Sequence, residues 1–168
     1  MTIEALPPGP VLIAGGLLLP WLSPTRRTAL VLLLPLVVLW LVWQVPDGVA
    51  WSAEFMGYDI EPLRGDRLSR VFGTVFAIMA FVGGLFACRH ARPVELASAF
   101  IYAGGALGVV FAGDLITLFA YWELMAVAST LVLWSAGTEG SRAAGMRYVV
   151  VHLLGGVILM VGVTAYAF

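Results

Sequence analysis

The chain has 168 residues, 61% of them apolar and 11% charged, a formal net charge of −1 and a mean hydropathy of +0.99. A soluble domain of this length keeps its apolar share near half, so the composition excludes one and describes a polytopic protein of the lipid bilayer. No basic tract is present to recruit nucleic acid, and the single cysteine, Cys88, rules out an internal disulfide and reads as a small buried apolar residue.

The first apolar run extends from Ala5 to Leu22. Pro7, Pro8 and Pro10 stand at its leading end, where proline costs a helix least, and Ser23, Pro24, Arg26 and Arg27 close it. Glu4 precedes the run and no arginine does, which argues against a cleaved signal peptide, whose first region is positive. A second run, Ala29 to Val45, holds Pro35, which is expected to kink the helix or break it locally. From Pro46 to Arg67 the composition changes to five acids, two arginines and three aromatics without a sustained apolar run. The alternation of Val49, Trp51, Ala53 and Phe55 predicts a β-hairpin or an interfacial segment with its aromatics at headgroup level.

Leu68 to Cys88 forms a third run, closed by Arg89, His90, Arg92 and Pro93. The fourth runs from about Val94 to Ala112 and carries Gly104-xxx-Gly108, a spacing that lets helices approach closely but is frequent by chance in glycine-rich spans. Gly113 and Asp114 turn the chain into a fifth span, 114–135. Ala136 to Arg142 reads as a polar loop, and a sixth span runs from about Ala143 to Phe168. The expected fold is therefore an all-α transmembrane bundle of about six spans (5–22, 29–45, 68–88, 94–112, 114–135, 143–168) in one membrane domain, 1–168. Arg26 and Arg27, Arg89 and Arg92, and Arg142 with Arg147 then share one side, while the acidic connection, the Gly113-Asp114 turn and both termini share the other. Positive residues in short loops mark the cytoplasmic side, so both termini are expected outside. Arg64, Arg67 and Arg70 dissent, although acids surround them.

In the fifth run, GDLITLFAYWELMAVASTLVLW, one carboxylate interrupts the apolar residues. Glu123 lies about ten residues from the start, so at about 1.5 Å per residue it sits roughly 15 Å deep, near the midplane. An ionised carboxylate there is expensive, and the ways out are protonation, a partner or a wet cavity, each of which also suits a proton carrier. Phe119, Ala120, Ala126 and Val127, its neighbours at helical spacing, offer no charge, so a partner must come from another span. The plainer alternative is a protonated structural carboxylate that holds helices together. His152, about nine residues into the sixth span and roughly 13 Å deep, matches its depth. An imidazole can relay a proton through its two nitrogens, or can simply be a neutral histidine satisfied by a carbonyl or water.

Asp114 is best explained as the N-cap of the fifth helix, with a role in drawing cations to the mouth as the alternative. Thr117, Ser129 and Thr130 are hydroxyl residues of the same helix. Thr130 shares the Glu123 face, where it could hold water or bond its own backbone. All nine basic residues are arginine, which stays protonated, so the histidines are the only bases able to exchange a proton. No phosphate-binding loop, paired metal-ligand spacing or nucleophile beside a base occurs. The expectation is a protein without enzymatic activity, metal or cofactor.

The segment AGDLITLFAYWELMAVASTLVL, followed by AGMRYVVVHLLGGVILMVG, resembles the fifth and sixth helices of the antiporter-like membrane subunits shared by respiratory complex I and Mrp-type Na+/H+ antiporters, and most of all the Mrp D subunits. PLRGDRLSRVFG is similar to the segment leading into the third helix of that family, and WELM, Trp122 to Met125, is the most specific element. The resemblance covers most of the chain from about Pro62. It implies that Glu123 corresponds to the family's key glutamate of the fifth helix, which works with a lysine on a later, broken helix. It also implies two inverted five-helix repeats after three leading spans, about fourteen spans in all. This chain matches only the first six or so and contains no lysine. The functional expectation is a component of a multi-subunit monovalent cation (Na+)/proton antiporter, or of a related proton-translocating complex, in the inner cell membrane. Other membrane subunits would be its partners and Glu123 its proton carrier. The alternatives are a non-transporting structural or assembly subunit, or a fragment of a longer antiporter-like subunit.

Overall fold

The computed structural model of the chain describes residues 2–3, 5–55 and 57–167. In chain order it has a two-residue strand β1 (Thr2–Ile3), helices α1 (Pro8–Leu18) and α2 (Pro24–Gln44), and a hairpin of β2 (Gly48–Phe55) and β3 (Tyr58–Gly65). Helices α3 (Arg67–Ala87), α4 (Pro93–Phe111), α5 (Leu115–Ser135) and α6 (Glu139–Ala167) follow. Five helices, α2 to α6, are long and apolar enough to cross a membrane.

The first apolar run yields less helix than its length suggests. Pro7 takes an extended backbone as the N-cap, and Pro8 opens an 11-residue helix that passes into a three-residue 3-10 turn, Leu19–Trp21, around Pro20. Helix and turn together rise about 22 Å, short of a hydrocarbon core of about 30 Å. The expectation of six full-length spans is corrected here. Prolines at both ends of an apolar stretch take residues out of the helix without lowering its hydropathy. The polar residues expected to end that stretch instead begin the next helix, with Pro24 in its first turn. Arg27 reaches back from α2, its guanidinium donating to the carbonyls of Leu19 (3.1 Å), which also accepts from the Leu22 amide, and of Leu22 (2.9 Å).

Pro35 does not break α2, which runs unbroken past it. The ring removes the N–H that the carbonyl of Val31 would accept, and Gly84 of α3 closes over that carbonyl: a Cβ added there would lie 3.3 Å from it. Thr138 and Ser141 bond each other's amides reciprocally at the start of α6 (Thr138 Oγ1 accepting at 3.0 Å, Ser141 Oγ at 3.2 Å). The connection expected over 136–142 therefore shrinks to three residues.

The connection between α2 and α3 is the hairpin, antiparallel, with Phe55 opposite Tyr58 and Gly48 opposite Gly65, and β1 adds to its β2 edge. Irregular register on either side of Trp51 bends β2. The other edge, β3, carries Pro62 and receives the α4–α5 turn: the Gly113 amide donates to Glu61 O (2.9 Å), and the Glu61 amide donates to Asp114 Oδ2 (2.8 Å). Arg70 pairs with Asp47, and Arg64 lies 3.6 Å from Glu61. These acid partners account for two of the three arginines that break the charge asymmetry.

All packed helix neighbours run antiparallel. Gly9 meets Gly104 and Gly108 while Gly16 meets Ala97 and Phe100, which sets α1 against α4. Gly73 meets Val42 and Gly84 meets Val31, setting α3 against α2. The Arg92 guanidinium donates to the Ser135 carbonyl at the far end of α5 (3.0 Å). Arg26, Arg27, Arg89, Arg92 and Arg142 thereby gather at one end of the bundle and the hairpin stands at the other. The main core, with Leu12, Val31, Val42, Leu107 and Phe111, lies among α1 to α4, and Ala50 and Leu63 of the hairpin close it. Large apolar side chains such as Trp40, Val71, Phe86, Val151 and Ile158 face outward, as expected of a surface covered by lipid or by other helices.

Two outcomes follow. A Cβ at Gly9 would lie 2.8 Å from the carbonyl oxygen of Gly104, a backbone atom with no freedom to give way. Gly9→Leu should therefore cost about 1–3 kcal/mol through forced separation of α1 and α4, read as earlier thermal unfolding in detergent. At the start of α3, Asp66 Oδ1 accepts from the Ser69 amide (2.6 Å) and the Asp66 amide donates to Ser69 Oγ (2.8 Å). The Ser69 amide, then its hydroxyl, hold the Asp66 carboxyl below the usual aspartate value. A lowered folded-state value means that the cap is at full strength above the unfolded value, about 3.9, and is lost as pH falls through the folded one. The hydrogen-exchange protection factor of the Ser69 amide should drop over that acid range, and in Asp66→Ala it should be low throughout.

Candidate functional site

The seam between α5 and α6 collects the charged and polar side chains that the main core lacks. Glu123 is the ninth residue of the 21-residue α5, close to half way along. Its carboxylate turns toward α6 against Gly156: a Cβ there would run into Glu123 Oε1 and stand 3.1 Å from its Cδ. The missing side chain is what lets the carboxylate enter the seam. His152 stands one turn before Gly156 on the same face of α6. Its ring stacks on Trp122 of α5 at 6.2 Å between centroids and on Tyr148 of α6 at 5.6 Å, with interplanar angles of 20° and 24°. The level match expected between Glu123 and His152 is thus set by direct packing of the neighbouring Trp122.

Glu123 and His152 border one cavity of about 230 Å³, with Thr130 and the apolar Val127, Leu131 and Leu153 also in its wall. Beside it Glu123 Oε1, packed against Gly156, and His152 Nε2 are buried without a hydrogen-bond partner. Two such atoms in one seam are costly unless something satisfies them, and the adjacent space suffices for several waters at about 30 Å³ each. A carboxylate and an imidazole are both groups able to take up and release a proton.

The other candidates behave differently. Thr130 reaches the same cavity, yet its hydroxyl donates to the Ala126 carbonyl of its own helix (2.8 Å), leaving only lone pairs for the cavity. Asp114 stands apart at the hairpin end. Its Oδ1 accepts from the Thr117 amide (2.8 Å) and its Oδ2 from the Glu61 amide, so both oxygens are occupied in capping α5 and joining it to β3. Among the described residues no cluster of three or more potential metal ligands occurs.

Tyr148 and Gly156 do not stand out in the sequence as part of this site, and Trp122 does so only as part of the WELM element. Tyr148, His152 and Gly156 fall at four-residue steps, one face of a helix, and that spacing is the available signal.

Comparison with known proteins finds relatives that each match about seven tenths of the chain. The chain is 26% identical over 130 residues to the D subunit of the Na(+)/H(+) antiporter of Alkalihalophilus pseudofirmus, and 23% identical over 127 residues to the protein of the same name from Bacillus subtilis. Each match covers 72% of this chain and 23% of the relative. An uncharacterized protein of Mycobacterium tuberculosis is 32% identical over 125 residues, covering 71% of this chain and 19% of its own length. No family model matches the chain. At this level of identity the comparisons support likeness to an antiporter-type membrane subunit, and the chain spans about a quarter or less of the length of the curated relatives it matches.

Proposed function

We propose that the chain is part of a multi-subunit monovalent cation/proton antiporter, with Na+ as the exchanged ion, or of a related proton-translocating complex in the inner cell membrane. In this reading Glu123 carries the proton and His152 relays it. The observation that carries the proposal is the shared cavity, where a carboxylate oxygen and an imidazole nitrogen are buried without partners halfway along two apolar helices. The likeness to the D subunits of two Na(+)/H(+) antiporters supports the same reading.

The step is a proton transfer without other bond making. Protonated Glu123 gives its proton through water in the cavity to His152 Nε2, leaving a carboxylate and an imidazolium. The imidazolium then releases its proton to the next acceptor, supplied by a partner subunit. A bare carboxylate in an apolar wall is unstable, so it recovers a proton or draws in a cation, and that alternation couples the two ions. Role and chemistry are those of a transporter, not an enzyme.

The accompanying topology takes α1 with its flanking residues as a sixth crossing, the arginine end as cytoplasmic and both termini outside, supported by the grouping of Arg26, Arg27, Arg89, Arg92 and Arg142 at one end. In a Cys88→Ala background, Gly137→Cys should then react with a membrane-impermeant thiol reagent in inside-out vesicles and not in intact cells; the reverse pattern rejects this orientation.

A non-transporting structural subunit is the competing reading, favoured by the largely apolar wall of the cavity. One variant separates the two. In inside-out vesicles carrying the assembled complex, Glu123→Gln should lower Na+-driven proton movement, followed with a pH-gradient dye, by about 100-fold or more while assembly is retained. Undiminished transport with glutamine at this position would assign Glu123 to structure.

A further inference from the structure

His152 borders two spaces. Besides the cavity it shares with Glu123, it lines a second of about 420 Å³ on the other flank of the seam, whose wall includes Leu118, Trp122, Tyr148 and Gly155. Among the described residues no other lines both. His152 therefore stands between them, and what holds its ring decides whether the imidazole stays beside Glu123. Trp122 and Tyr148 stack on it from the second side. Tyr148 is itself fixed: its hydroxyl lies 2.9 Å from Ser129 Oγ on α5. The single proton of Ser129 goes to the Ala126 carbonyl at 2.9 Å, so the Tyr148 hydroxyl is the donor to Ser129 Oγ. The tie crosses from α6 to α5 and leaves the tyrosine ring little freedom to turn.

Resting on the transport reading above, we propose that Tyr148, pinned through its hydroxyl to Ser129, is a positioning residue that holds the His152 imidazole in the seam between the two spaces, beside Glu123. Offset stacking within about 4.5–7 Å is the favoured geometry of aromatic rings, and a ring held from the second side has the Glu123 cavity as its remaining open side. Tyr148 touches no transported proton; it acts through the ring it supports. Losing the tyrosine ring frees the imidazole to swing into the second space, away from the carboxylate. Losing only the hydroxyl loosens the support and keeps the stacking.

The test uses the full chain in its native membrane complex with two readouts, the second independent of transport. In the vesicle assay Tyr148→Leu should lower transport about tenfold or more, a loss typical of a misplaced reacting group, and Tyr148→Phe should recover most of it. In a His152→Gln background, Tyr148→Leu should add no further loss, because its effect runs through the imidazole. For the second readout, His90→Gln leaves one histidine, and nuclear magnetic resonance of the labelled His152 ring should show ring-current-shifted carbon resonances that move toward solvent values in Tyr148→Leu and stay in Tyr148→Phe. An unmoved His152 signal in Tyr148→Leu, or a full additional transport loss in the His152→Gln background, overturns the proposal. If Glu123→Gln transports normally while the His152 signal responds as described, the positioning stands and the transport reading falls.

Discussion

Close backbone approach at α4 is the constraint on which the rest of the bundle depends. In lipid, no hydrophobic force draws one apolar helix to another, and packing depends on how near the backbones can come. Gly104 and Gly108 admit Gly9 of α1 on one side, and Gly105 and Gly108 admit Met125 and Tyr121 of α5 on the other. A larger residue at any of these positions would push away one neighbour or the other. Because α5 is seated this way by Tyr121 and Met125, Glu123 between them in sequence is directed off α4 and toward α6. The glutamate thus owes its direction to glycines on a helix it does not face.

The same logic separates the molecule into a packed part and an adaptable part. Helices α1 to α4 and the hairpin share the buried core, where the buried polar groups Ser69 and Ser98 are spent on local hydrogen bonds. The α5–α6 seam differs: midway along two apolar helices it holds a carboxylate oxygen and an imidazole nitrogen, both buried without a hydrogen-bond partner. The unpartnered intramembrane pair thus sits outside the shared core, between two helices.

The helices were legible in the sequence because long apolar runs in a membrane protein leave few alternatives. Their ends were harder to read. Pro24 and Thr138 stand in polar stretches that look like loops, yet each opens a helix, since N-terminal caps are made from the same residues as turns. Pro35 was expected to kink or locally break its helix because the ring removes an amide; the close approach of Gly84 to the Val31 carbonyl could not be read from α2 alone. The hairpin was legible from alternation, though its bond to Asp114 was not, because that pairing joins residues 53 apart. Glu123 and His152 were conspicuous as polar groups in apolar surroundings. Tyr148 and Gly156 were not, for aromatics and glycines are ordinary in membrane helices and take on meaning only once the register of α5 against α6 is known.

The double engagement of the Asp114 carboxylate has a mechanical consequence. One oxygen holds the first turn of α5 and the other holds an amide of β3, so the base of α5 is riveted to the hairpin, and through Arg92 its far end is fastened to the start of α4. A helix secured at both ends is a fixed post. Helix α6 packs on that post, held along its length by Gly145 on Trp134, Tyr148 on Ser129 and Gly156 on Glu123. The glutamate thus belongs to the helix tied at both ends, and the histidine to the one laid against its side.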